Sequence, residues 1–288
     1  MPLGRAEPVR EVHTETTVRT QTQEARSRAH SGSAGAGHVR GGQACCRAFW
    51  RPVELVFKNN RFSTPERLIF VSDDPDLRPS VEIRDYLRRE LNSALRRPGM
   101  YGNEVALRIL VDHLAHVEQR EDHWSAALQD WKTHGAFMST GVTGAFACLI
   151  PGHYACGVAS IYAEFARTQG WLQADRTLTL QEYRALTATI STWTALNRTL
   201  TEVTTAFGPP SILFGGNNPL YGKTLSYLTG VPEEPMISFH LWNGPALEAE
   251  QQWPPAHAEP VLLAVRIGEG NFGQSFTFTP EGRLRRPV

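Results

Sequence analysis

Three groups of residues in this sequence have types and spacings that chemistry could use. The first begins with "GHYACGVASIYAEFARTQGW", residues 152–171. Cys156 falls at or just inside the start of an expected helix, after Gly152 and His153. The unpaired N–H groups and dipole at a helix N-terminus favour thiolate, the nucleophilic form of cysteine. Much later, "MISFHLWNG" alternates with a period of two. Ile237, Phe239 and Leu241 fall on one face, and Ser238, His240 and Trp242 on the other. That pattern puts His240 on a non-core face, where a general base can work. The chemistry would be acyl transfer or hydrolysis. His240 would take the thiol proton, Cys156 would attack a carbonyl, and the leaving group would receive the proton. The same residues also read as a packed structural cysteine and a surface histidine.

The second group is "SILFGGNNPLYGKTLSYL", residues 211–228. Gly222-Lys223-Thr224 matches the end of a phosphate-binding P-loop, which needs a further glycine five positions before the second one. That position is Asn217, and Gly216 lies one residue too far away. Pro219 removes one N–H from the loop. A glycine turn into a short helix starting near Lys223 is the plainer expectation, with nucleotide binding as a minor alternative. Trp242, Lys223 and Tyr221 are the residues expected to contact a ligand.

The third group is His113 and His116, three apart in "NEVALRILVDHLAHVEQRE". Stepping around the helix from Val105 sets both in the sector of Ala106 and Ile109, on or near the apolar face. A metal site inside a helical bundle would use such a pair. No second His-x-x-His or Glu-x-x-His exists to complete it, so no metal or other cofactor is expected and interface histidines are the plainer reading.

The elements that must position these groups are legible in outline. Residues 1–52 contain eight Arg and four Glu with few large apolar residues, and read as a disordered leader. Val53–Phe57 and Leu68–Val71 read as two short strands. Helices follow: one from an N-cap at Ser80 to Pro98-Gly99, one capped by Asn103, and one over "DHWSAALQDWK". Between the first two, Met100 and Tyr101 are expected to pack as a staple. A glycine-rich passage, "GAFMSTGVTGAFACLIPG", interrupts. A helix closed by Gly170 carries Cys156, and one long helix runs through "LTLQEYRALTATISTWTALNRTLTEVTTAFG". After Pro209-Pro210 the period changes from 3.6 to 2, and "MISFHLW", "VLLAVRI" and "SFTFT" read as strands. The fold class is α+β. A helical part over 80–208 packs on a mostly antiparallel sheet in a β-rich part over 209–288, in one domain from residue 53.

Composition narrows the function classes. Lys+Arg and Asp+Glu balance at 29 each, so no net field favours nucleic acid or an anionic membrane. Cys45, Cys46, Cys148 and Cys156 form no Cys-x-x-Cys pair and too few bridges for a disulfide framework, which favours a reducing cytosol. No apolar run reaches the length of a membrane span.

Three short resemblances add to this. "ALRRPGMYGNEVALRILVDHL" resembles the opening of the gyrase-type ATPase domain, but its helix lacks that family's Glu-x-x-x-Asn. It also resembles the helix–RPxMY–helix opening of small uncharacterised bacterial proteins, some of them suspected immunity partners of toxins. The Cys156 helix start, the His240-x-Trp242 strand and the later Trp253-Pro254 are similar to transglutaminase-like and papain-like enzymes, which implies Cys156 as nucleophile and His240 as base, with Asn243 or Glu248 orienting the ring in place of that family's Asp. The sequence favours a non-catalytic binding or immunity-type protein with a protein partner. The alternative is the Cys–His enzyme.

Overall fold

The structure, a computed structural model, describes residues 81–152, 154–245, 255–268 and 270–287. All of them belong to one compact unit. The expected leader, the two strands before residue 72, the Ser80 cap, and His153, Glu248 and Trp253 lie outside the described residues.

The helices come first in the chain. They are α1 (Val81–Arg96), α2 (Pro98–Tyr101), α3 (Asn103–Val117), α4 (Glu121–Thr133), α5 (Gly141–Ala147), α6 (Ala155–Thr168), α7 (Leu180–Trp193) and α8 (Leu200–Phe207). Then come β1 (Ile212–Phe214), β2 (Lys223–Tyr227), β3 (Ile237–Trp242), β4 (Val261–Ile267) and β5 (Phe276–Phe278), followed by α9 (Pro280–Arg285). The five strands form one antiparallel sheet in sequence order. The chain is α+β, as its changing period indicates.

Helices cover both faces of this sheet. Leu225, Tyr227, Ile237, Phe239, Leu241, Leu262 and Val265 pack against Tyr183, Leu186 and Ile190 of α7 and Val203 of α8. Ile212, Phe214, Ala264, Phe276 and Phe278 join the larger core with α1, α3, α5 and α6. Every residue of β2 and β3 is buried. Alternation in β3 therefore separates two buried faces, not core from solvent. A register shift between His240 and Leu241, where Leu263 is skipped on β4, re-aims the strand at the histidine.

Several local expectations need correction. The long helix is two, because Thr199 and Glu202 form a reciprocal capping box that starts α8 afresh. Asn197-Arg198-Thr199 accordingly lies between helices. The glycine-rich passage holds a helix, α5, whose first N–H groups are taken up by the Glu104 carboxylate at 2.7 and 2.8 Å. Lys223 opens a strand, not a helix. Met100 and Tyr101 are exposed and staple nothing, and Gly102, at φ 103°, holds the N-cap position of α3 in place of Asn103. His113 and His116 are exposed as well. The buried stripe of α3 is Leu107, Val111, Leu114 and Ala115, so phasing the helix on Val105, itself 68% exposed, put the apolar face on the wrong side.

Candidate functional site

Cys156 is the second residue of α6, half-buried at the edge of a cleft of about 550 Å³. Three loops form the walls. Pro151 and Gly152 come from the approach to α6, Tyr221 and Gly222 from the β1–β2 connection, and Asn243, Gly244 and Pro245 from the end of β3. Trp242 completes the lining together with Tyr154 and Ala155. Four of the residues singled out in the sequence, Cys156, Tyr221, Trp242 and Asn243, thus meet in one place although 87 positions separate the first from the last.

Glycine makes this approach possible. Gly215, at φ 112°, lets the β1–β2 connection press onto the helix start. A Cβ there would stand 2.7 Å from Cys156 Sγ. The thiol in turn faces the Gly222 carbonyl at 3.8 Å. Burial pushes the Cys156 thiol up to about 11, against the pull of the Lys223 ammonium. The helix terminus therefore does not deliver the thiolate that the sequence pattern suggests.

His240 is elsewhere. Its side chain is fully buried and is not part of the cleft lining. Phe146, Tyr154 and Phe276 enclose the ring, with centroids 5.5, 5.7 and 5.4 Å away. Nδ1 lies 3.2 Å from Thr224 Oγ1, and Nε2 is buried without a hydrogen-bond partner. Burial, with the nearby Arg266 charge, lowers the imidazole pKa to about 3, so the ring is neutral at neutral pH. Tyr154 forms the partition. Its ring packs on His240 and also lines the cleft, and its hydroxyl sits between the carbonyls of Lys223 (3.1 Å) and Leu241 (2.8 Å). The expectation of a base on an open face is corrected here. Among the described residues, no hydrogen bond links Cys156 to His240.

Asn243 does not orient His240 either. Its Nδ2 donates to the carbonyls of Leu220 and His257, both at 2.9 Å, and its Oδ1 accepts from the His257 N–H at 3.0 Å. It clips two cleft loops together. Lys223 is buried, and its Nζ donates to the Asn218 carbonyl at 2.8 Å. Thr224 sits in the β2 ladder opposite His240, so the Gly-Lys-Thr offers no phosphate cradle of the loop-to-helix kind. Among the described residues, no group of three or more His, Cys, Asp or Glu could hold a metal ion. No helix among them is long and apolar enough to cross a membrane.

Sequence reasoning missed Tyr154, Gly244 and the two flanking prolines as cleft residues. Tyr154 carried a usable signal: an aromatic residue immediately before the small-residue start of α6. Thr224 and Arg266, which face His240, became visible only once the β2–β3–β4 register was known. Arg266 reaches across to α6 and ion-pairs with Glu164. No known protein family, characterised protein or solved structure matches this chain.

Proposed function

We propose that this chain is a non-catalytic binding protein of the immunity type, and that the Cys156–Trp242 cleft is where it meets a protein partner. One observation carries the reading: His240 is fully buried among Phe146, Tyr154 and Phe276 and does not line the cleft onto which Cys156 opens. A thiol of pKa about 11 beside no working base has roughly one thiolate in ten thousand at pH 7. The balanced charge supports a protein partner over nucleic acid or an anionic membrane surface. The free Cys148 and Cys156 fit a reducing compartment such as the cytoplasm.

The second reading is the Cys–His acyl-transfer or hydrolytic enzyme. It is favoured by the position of Cys156, at the start of α6 and open to the cleft. The two readings part on acylation. Native protein at pH 7 with p-nitrophenyl acetate is expected to give no stoichiometric burst of p-nitrophenolate and no acetyl thioester on Cys156 by peptide mass spectrometry. A burst of one equivalent, lost in Cys156→Ala, would establish the enzyme.

A further inference from the structure

Helices α7 and α8 begin alike and differ in one respect. Each opens on a Thr–Glu capping box, Thr179 with Glu182 and Thr199 with Glu202. In the α8 box both Glu202 oxygens are engaged. Oε2 accepts the Thr199 N–H at 2.8 Å, and Oε1 ion-pairs with Arg198 at 3.1 Å. In the α7 box a single Glu182 oxygen, Oε2, accepts both the Thr179 N–H and the Thr179 hydroxyl, at 2.7 and 2.8 Å. Among the described residues, no donor reaches Oε1. Arg176 acts on Glu182 through space without pairing with it. The Arg176 Nη2 donates to the Phe207 carbonyl at 3.2 Å, and its Nε is buried without a hydrogen-bond partner.

Both residues line one groove of about 340 Å³ between α7 and the end of α8. Leu178, Leu186 and Phe207 give it apolar surface, and Ala185 and Ala206 are short enough to leave it open. The groove shares no lining residue with the Cys156 cleft. Its volume lies at the low end of small-molecule sites, about 300–1,000 Å³, which suits a single amino acid. A lone anion there would gain the guanidinium but face the Glu182 carboxylate, and a lone cation the reverse. A ligand carrying both charges on one carbon gains on both sides, through charge-assisted hydrogen bonds about twice as strong as neutral ones.

We propose that this groove binds a free α-amino acid with an apolar side chain, its carboxylate on Arg176, its ammonium on Glu182 Oε1, and its side chain against Leu178, Leu186 and Phe207. The site is separate from the cleft and stands whichever reading of the cleft holds. Three probes share one isobutyl side chain and differ in charge: L-leucine (zwitterion), N-acetyl-L-leucine (anion) and L-leucinamide (cation). Each is titrated into full-length protein at pH 7 by calorimetry. Leucine is expected to bind roughly tenfold more tightly than either ion, the worth of one charged hydrogen bond. Glu182→Gln removes the charge and keeps the capping box, which takes Gln as well as Glu at that position. It is expected to weaken leucine binding roughly tenfold and to leave N-acetyl-leucine bound as tightly or more so. Glu202→Gln makes the same change in the α8 box, outside the groove lining, and is expected to leave all three affinities as they were. Equal affinities for the three probes, no leucine binding at millimolar concentration, leucine binding untouched by Glu182→Gln, or an equal loss in the two Gln variants would overturn the assignment.

Discussion

Acidification will destabilise this fold through His240. The free imidazole takes a proton near pH 6.5, whereas the buried one resists until about 3. Between those values the unfolded chain binds a proton that the folded chain refuses. Stability is therefore complete above about pH 6.5 and falls with pH across that window, by roughly 1.4 kcal/mol per pH unit. From pH 7 to pH 4 the loss attributable to this one ring is about 3 kcal/mol. Other titrating groups change stability over the same range, so the reference is His240→Leu. The leucine meets the same aromatic neighbours, Phe146, Tyr154 and Phe276, and leaves only Thr224 without its partner. Urea unfolding at each pH is expected to show the variant less stable than wild type at pH 7 and equal or more stable at pH 4. Parallel stability curves for the two proteins would show that His240 is not held neutral.

The second large effect is expected at Gly282, in the first turn of α9. A Cβ there would stand 1.9 Å from the Leu263 carbonyl oxygen and 2.7 Å from its carbon. Neither side can retreat cheaply. Leu263 is a fully buried β4 residue at the bulge beside His240. The helix start is fastened by Thr279, whose hydroxyl donates to the Leu262 carbonyl at 2.7 Å and accepts the Gly282 N–H at 3.1 Å. Gly282→Ala gains helix propensity, worth about 1 kcal/mol, and loses more to the collision with backbone. A net destabilisation of about 3 kcal/mol or more is expected from chemical denaturation. Gly273→Ala is the control. Its Cβ would meet only Asn271 Oδ1 at 3.6 Å, and it is expected to change stability by less than about 0.5 kcal/mol. Equal effects at the two glycines would contradict the packing of α9 on β4.

The sequence carried the fold class because helical and strand periods occupy different halves of the chain. It misled wherever a pattern has two physical causes. Alternation in Ile237–Trp242 means one buried and one wet face only when a single layer covers the sheet. With α7 and α8 behind it and α5 and α6 in front, the polar set Ser238 and His240 is as buried as its neighbours. The Ser226–Ser238 hydroxyl pair, 2.7 Å apart, shows how that polar face is satisfied internally. The α8 start was written plainly in Thr199-Leu-Thr-Glu202, but the apolar spacing on either side continued smoothly and hid it. β2 was legible too, as Thr224 and Ser226 alternate with Leu225 and Tyr227. The glycine before Lys223 drew attention to a phosphate loop instead.

For the cleft, residue types at loop ends were informative. Cys156, Tyr221, Trp242 and Asn243 came together because the sheet brings the β1–β2 connection and the end of β3 beside the start of α6. Their roles could not be read in the same way. Asn243 binds backbone, and the histidine that appeared to serve the thiol lies behind Tyr154. Both facts depend on three-dimensional neighbours far apart in the chain.

The central claim is that Cys156 and His240 act independently, one in a binding cleft and the other in the core. The alkylation rate of Cys156 by iodoacetamide, followed by peptide mass spectrometry from pH 5 to pH 10 in native wild-type protein and in His240→Leu, tests it most directly. The rate is expected to rise about tenfold per pH unit with no plateau, toward the thiol's own ionisation near 11, and to follow the same curve in the variant. A plateau of fast labelling below pH 7 that vanishes in His240→Leu would reveal a thiolate–imidazolium pair and contradict the account.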